Sequence, residues 1–203
     1  MPVALLIVAG ALIGSQASAD VLSDLLDGGP RFIGSPGHER AAAIIEQQLR
    51  VLPAGRVVVH RMQQVVPVVD HATLTMADGS VFDVHPMWPN GAAVCATPEE
   101  GIDATLTYVG AGQETELSNL SLDGAIAAME YNSYDRWKLV MALGARAVLF
   151  LPPDDTTWVQ SHAKFADLTA HAPRFYLNDA RLADAIRRDR SLPSVRLTSA
   201  VRW

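Results

Sequence analysis

Apolar positions recur along the chain with two different periods, and the change from one to the other marks out its elements. Ala125 to Met129 and Ala147 to Leu151 are short, nearly all-apolar runs, the pattern of strands covered on both faces. Between them, Trp137, Val140 and Met141 fall on one face of a helix over Arg136 to Leu143. Asn132 and Ser133 are placed to cap that helix, and Gly144 is free to end it in the left-handed conformation. Pro152-Pro153 stops the second run, because neither residue can donate to a strand ladder. The unit is strand, helix, strand, so its two strands lie parallel.

The same reading extends both ways. Residues Asp20 to Asp27 predict a turn or two of helix closed by Gly28-Gly29-Pro30. Ser35 then caps a second helix with Pro36 at its first position, along which Ala41, Ile45, Leu49 and Leu52 form an apolar stripe. Strands are expected in Arg56 to Val69, from the runs VVV and VVPVV. A hairpin over Ala72 to Val84 turns at Asp78-Gly79, with Leu74, Met76, Phe82 and Val84 as its apolar positions. Prolines and glycines from His85 to Gly101 read as a linker, and Thr105 to Val109 as a strand. Beyond the central unit, Pro173 to Leu177 is a strand, Asn178 caps a helix, and Val195 to Trp203 alternates as a half-buried strand. The polar stretch Asp154 to Ala172 is a surface loop or short helix. Its His162, Lys164 and His171, expected to be exposed, make it the predicted interaction surface.

Composition narrows the class. About half of the 203 residues are apolar, enough for a real core. The net charge of -6, with acids and bases interspersed, offers no basic stripe to a phosphate backbone and argues against nucleic-acid binding. Val3 to Gly14 is an apolar run too short to span a bilayer, and Ala17-Ser18-Ala19 follows with the small-x-small pattern of a signal-peptidase site. Residues 1–19 are therefore read as a signal peptide and the chain as exported, periplasmic or extracellular. No Lys or Arg precedes the apolar run, so a start further upstream or retention as a weak anchor stays open. Cys95, the only cysteine, has no partner for an intramolecular disulfide and reads as a buried thiol.

Two stretches carry a family resemblance. YDRWKLVMALGARAVLFLPPDDT resembles the core of the protease-associated domain inserted in secreted zinc aminopeptidases of the co-catalytic di-zinc family. RFIGSPGHERAAAIIEQQLRVL resembles the amino-terminal signature of the same enzymes, and the two stand in the expected order. The resemblance implies a mixed α/β fold: a protease-associated β-sandwich or barrel with a strand-helix-strand core and flanking helices, preceded by an N-terminal helical segment. It divides the chain into a signal peptide (1–19), an N-terminal helix and strand segment of peptidase type (20–85) and a protease-associated domain (86–203).

The chemistry of such enzymes is expected to be missing. A di-zinc site needs several ligands converging on two ions, one carboxylate bridging them and another acting as base. In the family resembled, these come from the catalytic domain. Here His38, His60, His71, His85, His162 and His171 all lack an Asp two positions later, and Glu99-Glu100 lies in a Pro- and Gly-flanked loop. Gly34-Ser35-Pro36-Gly37 is not a nucleophile elbow, Gly110-x-Gly112 lacks the third glycine of a dinucleotide site, and Cys95 lacks basic neighbours in sequence. No catalytic residue, metal ligand or cofactor is assigned to this chain; zinc belongs to the full-length family. Three readings stand: a non-catalytic module shaping substrate access or mediating protein contacts, a fragment or split subunit of an active zinc aminopeptidase, and a free-standing periplasmic binding protein. The partner is expected to be a peptidase catalytic domain or a peptide or protein substrate. Because 20–69 would pack on a catalytic domain in that family, its amides are expected to exchange faster than those of Ala125 to Leu151. Equal protection in hydrogen-exchange mass spectrometry would contradict this.

Overall fold

A computed structural model describes residues 15–29, 31, 33–52, 56–63, 65–87, 95–164 and 172–202. Its contacts divide the chain into two compact units, Met1–Val66 and Pro67–Trp203.

The first unit holds α1 (Ser15–Asp27) and α2 (Pro36–Val51). Ser35 caps α2 as its sequence position demands: its hydroxyl accepts from the His38 amide at 3.1 Å, and Pro36 takes the first turn, where no amide hydrogen is missed. Arg40 ties α2 to the end of α1 by donating to the Gly28 carbonyl at 2.8 Å. Ala41 is buried, but Leu49 and Val51 are exposed. The apolar run at 57–59 is not a strand: Val58 and Val59 are exposed, and among the described residues it has no ladder partner. An apolar run becomes a strand only where a half-buried, pleated surface receives it. The residues of the expected signal sequence before Ser15 lie outside the described set, and the expected cleavage point after Ala19 falls within α1.

The second unit is a closed barrel with strand order β1-β2-β6-β5-β4-β3-β7. Its strands are β1 (Val68–Thr75), β2 (Val81–Pro86), β3 (Ile102–Tyr108), β4 (Ile126–Glu130), β5 (Ala147–Leu151), β6 (Arg174–Leu177) and β7 (Ser191–Arg202). β3, β4, β5 and β6 run parallel, and β2, β1 and β7 complete the circuit antiparallel. Parallel neighbours cannot be joined by a tight turn, so each step carries a crossover with a short helix: α3 (Glu114–Leu117), α4 (Trp137–Ala142) and α5 (Trp158–His162). The hairpin at Asp78-Gly79 forms as read, with the Met76 amide donating to Ser80 O at 2.8 Å. It is part of the barrel unit, which begins at Pro67.

Two cores result. Leu74, Val84, Leu106, Ile126, Leu149 and Leu197 belong to one, which Leu182, Ala183 and Ile186 of α6 (Ala180–Asp189) complete. Met129, Val148 and Phe150 belong to the other, together with Trp137 and Val140 of α4. Contact on both faces explains why β4 and β5 read as continuous apolar runs.

The caps differ from expectation by small, explicable shifts. Neither Asn132 nor Ser133 caps α4; Arg136 occupies that place without a side-chain bond, and the two polar residues serve the next loop instead. Asp179, and not Asn178, caps α6, accepting from the Leu182 amide at 2.8 Å. α3 went unread in the sequence, although Gln113 and Glu116 have capping-box spacing: Glu116 Oε2 accepts from the Gln113 amide at 2.8 Å. Gly110 makes this possible. Its φ is +58°, and a Cβ there would strike the Glu116 carboxylate. Gly110→Ala is expected to cost about 1–2 kcal/mol from the left-handed backbone alone, with the clash adding to it. Urea denaturation showing no loss of stability would refute that account.

Candidate functional site

The carboxyl ends of the parallel strands gather most of the polar chemistry of the barrel. Two clusters form there. In the first, Arg187 of α6 forks onto Glu130 at the end of β4, Nε to Oε1 at 2.8 Å and Nη2 to Oε2 at 2.9 Å. Arg187 also donates to the Pro152 carbonyl and to Asp184, and the Tyr108 hydroxyl donates to Glu130 Oε1 at 2.6 Å. Burial pushes the Glu130 carboxyl up, but the hydrogen bonds from Arg187 and Tyr108 outweigh it and hold it below the usual range. Burial and then the Glu130 contact push the Tyr108 phenol up to about 12. Each oxygen of this carboxylate is already engaged, so the cluster locks β3, β4 and α6 together and presents no free acid or base.

The second cluster joins the loop after β4 to the loop after β5. Asn132 donates to the Asp155 carbonyl and accepts from the Thr156 hydroxyl, each at 2.9 Å. The Tyr134 amide donates to Gln160 Oε1 at 2.8 Å, and the Tyr131 hydroxyl donates to Ser161 at 3.2 Å. Tyr134 sits at φ +50°, a conformation that a non-glycine residue keeps only where its surroundings hold it. Lys164 is one such holder: its Nζ donates to the Tyr134 carbonyl at 2.6 Å and to Ser133 Oγ at 3.4 Å. The ammonium lies 5.3 Å from the Tyr131 ring centroid and 5.1 Å from that of Phe150.

Lys164 was expected on the surface and is 0% exposed. The sequence pattern misleads because the charged head is satisfied by a carbonyl, a hydroxyl and two rings, which a pattern cannot display. Burial pulls its pKa down to about 8, opposed by the charge of Asp135. Arg174, also buried, lies over the Trp137 ring at 4.4 Å and donates to the Lys164 and Ala172 carbonyls. His162 is exposed as expected, its ring tilted against Trp158 at 4.8 Å, and Trp158 itself is 74% exposed. His171 lies outside the described residues.

Beside this second cluster is an apolar cleft of about 260 Å³ lined by Met87, Tyr131, Pro153, Thr156 and Tyr176. The Tyr131 ring packs edge-on against Phe150 at 5.9 Å and Tyr176 at 5.7 Å. None of its lining residues was singled out from the sequence. The available signal was positional: Tyr131 and Pro153 come one and two residues after parallel strands, the ends at which α/β sheets place ligands. A larger recess of about 550 Å³, lined by Thr105, Thr107, Tyr108, Leu120, Ser121 and Arg190 among others, mixes polar and apolar walls.

The donor set for zinc was tested against these positions. Among the described residues no three His, Cys, Asp or Glu side chains gather as a metal site. His71 and His85 are exposed on different strands, Glu99 and Glu100 lie in an exposed turn, and Cys95 is buried with its thiol 3.7 Å from the Ala172 carbonyl. These residues do not fit a co-catalytic metal pair.

A closed mixed barrel with short helices over its parallel half is the class of fold. Among solved structures it is similar to a Peptidase M28 precursor from Shewanella amazonensis SB2B, with a TM-score of 0.58, 19% identity and 93% of this chain covered. This chain spans 47% of that one. An aminopeptidase from Aneurinibacillus sp. strain AM-1 also matches, with a TM-score of 0.48, 17% identity, and 91% of this chain and 44% of that chain covered. No protein-family model and no curated protein matches the sequence. At such identity the likeness is one of fold.

Lys164 offers a direct check on the second cluster. Its folded pKa lies below the ordinary 10.5, so its contribution to stability is complete above that value and is lost as pH falls through about 8. The stability of the wild type relative to Lys164→Met is therefore expected to rise between about pH 8 and 10.5. A flat difference across that window, measured by chemical denaturation, would remove the buried ammonium from the account.

Proposed function

We propose that this chain is a non-catalytic, protease-associated module of a zinc-aminopeptidase-like protein, exported from the cytoplasm, that shapes substrate access or mediates protein contacts. The observation that carries the reading is the fold match over 93% of the chain to an M28 peptidase precursor. The non-catalytic side of the reading is the part that metal retention and hydrolysis test. A chain without converging ligands cannot hold two zinc ions or activate a bridging water.

The first unit supports a contact role. Val51, Met62 and Val65 are each about 70% exposed or more, and Leu22 and Leu26 are also open, an apolar display that suits a covering partner. A peptidase catalytic domain is the partner proposed. Among the described residues no helix is long and apolar enough to cross a membrane.

The purified chain, dialysed against zinc and then buffer, is expected to retain no stoichiometric metal by atomic absorption and to release no amine from leucine p-nitroanilide. Two equivalents of retained zinc together with chelator-sensitive hydrolysis would overturn the non-catalytic reading.

A further inference from the structure

Two acids lie in the chain beside the lining of the aromatic cleft. Pro153 and Thr156, which line it, bracket Asp154 and Asp155 in the chain, and both of these are exposed. Among the described residues neither carboxylate has an ion-pair partner, whereas the nearby Asp135 is engaged by Lys138 at 3.1 Å. Two adjacent, uncompensated acids on a chain of net charge -6 repel one another and attract a cation.

We infer that this cleft binds a polypeptide segment in which one apolar side chain packs into the recess walled by Met87, Tyr131 and Tyr176 and a neighbouring Lys or Arg meets Asp154 and Asp155. The inference rests on the contact role proposed above and names the ligand for it. Size limits the occupant: about 260 Å³ is below the roughly 300–1,000 Å³ of pockets for whole drug-sized ligands, and suits a single side chain. The lining is preorganised. Tyr131 is fixed by Phe150, Tyr176 and Ser161, and the loop after β5 by the Asn132 bonds to the Asp155 carbonyl and the Thr156 hydroxyl, so little ordering remains to oppose binding. The apolar side chain supplies affinity, and the basic neighbour supplies selection and salt dependence.

The test is a titration of the ¹⁵N-labelled 203-residue chain, without zinc, with N-acetyl-Gly-Leu-Lys-Arg-Gly amide. Control peptides replace Lys-Arg by Glu-Glu, or Leu by Gly. Saturable shifts are expected at the amides of Tyr131, Thr156 and Tyr176 with the first peptide. Affinity is expected to fall about two- to five-fold for each lost ion pair, so both the Glu-Glu peptide and an Asp154→Asn/Asp155→Asn variant bind more weakly. The Gly peptide should not saturate. Thr156→Phe, which fills the cleft, should abolish the shifts at Tyr131 and Tyr176 while leaving the rest of the spectrum in place. Equal binding of all three peptides, shifts centred elsewhere, or no saturation by about 5 mM would overturn the inference. That failure would leave the non-catalytic reading standing, since its own test is metal retention and hydrolysis. Conversely, a zinc-dependent activity would remove that reading without altering what the cleft amides report.

Discussion

β7 hydrogen-bonds to β1 along one edge and to β3 along the other, and this double pairing closes the barrel. It requires a strand of twelve residues, more than twice the length of β4 or β5, and it uses two irregularities of register, at Val69/His71 and at Ala104/Leu106. Closure removes the exposed strand edges that an open sheet of this size would present. It also forces the parallel strands β3 to β6 to stand side by side with their carboxyl ends together, which is why the loops after β4 and β5 meet.

Where those loops meet, positive charge is handled in two different ways. Arg187 is matched by a carboxylate in a bidentate fork and gives the barrel a fixed joint. Lys164 and Arg174 are buried against carbonyls, a hydroxyl and aromatic faces. Such partners offset only part of the desolvation of a full charge, as the lowered pKa of Lys164 reflects. What they hold in return is geometry: the Tyr134 loop and α5 are set against each other, and the aromatic cleft stands beside them.

Neither cluster has the composition of a metal centre. Of the carboxylates near these loops, Glu130 is locked by Arg187 and Tyr108, and Asp154 and Asp155 are exposed. The shared fold with a peptidase precursor stands beside the absence of a metal-ligand group among the described residues.

The strand-helix-strand unit, the hairpin at Asp78-Gly79, the Ser35 cap and the left-handed Gly144 were all legible from spacing and residue type, since each depends on neighbours within a few positions. Local pattern also gave a surface loop or short helix after β5, where α5 forms. It failed at 57–59, where strand-like residues have no ladder partner among the described residues, and at Lys164, where a charge is buried by groups distant in sequence. The short helix after Gly110 could have been read from Gln113 and Glu116, and the Asp179 cap lay one residue from its expected place. What the chain order alone determined was which segments are strands and helices, because backbone conformation follows from side chains nearby. Only the tertiary structure decided that Met87, Tyr131 and Tyr176 share one cleft and that Glu130 is silenced by Arg187. Those contacts join residues tens of positions apart, and the side-by-side pairing of β2, β6, β5 and β4, with α6 laid against them, is what brings them within reach.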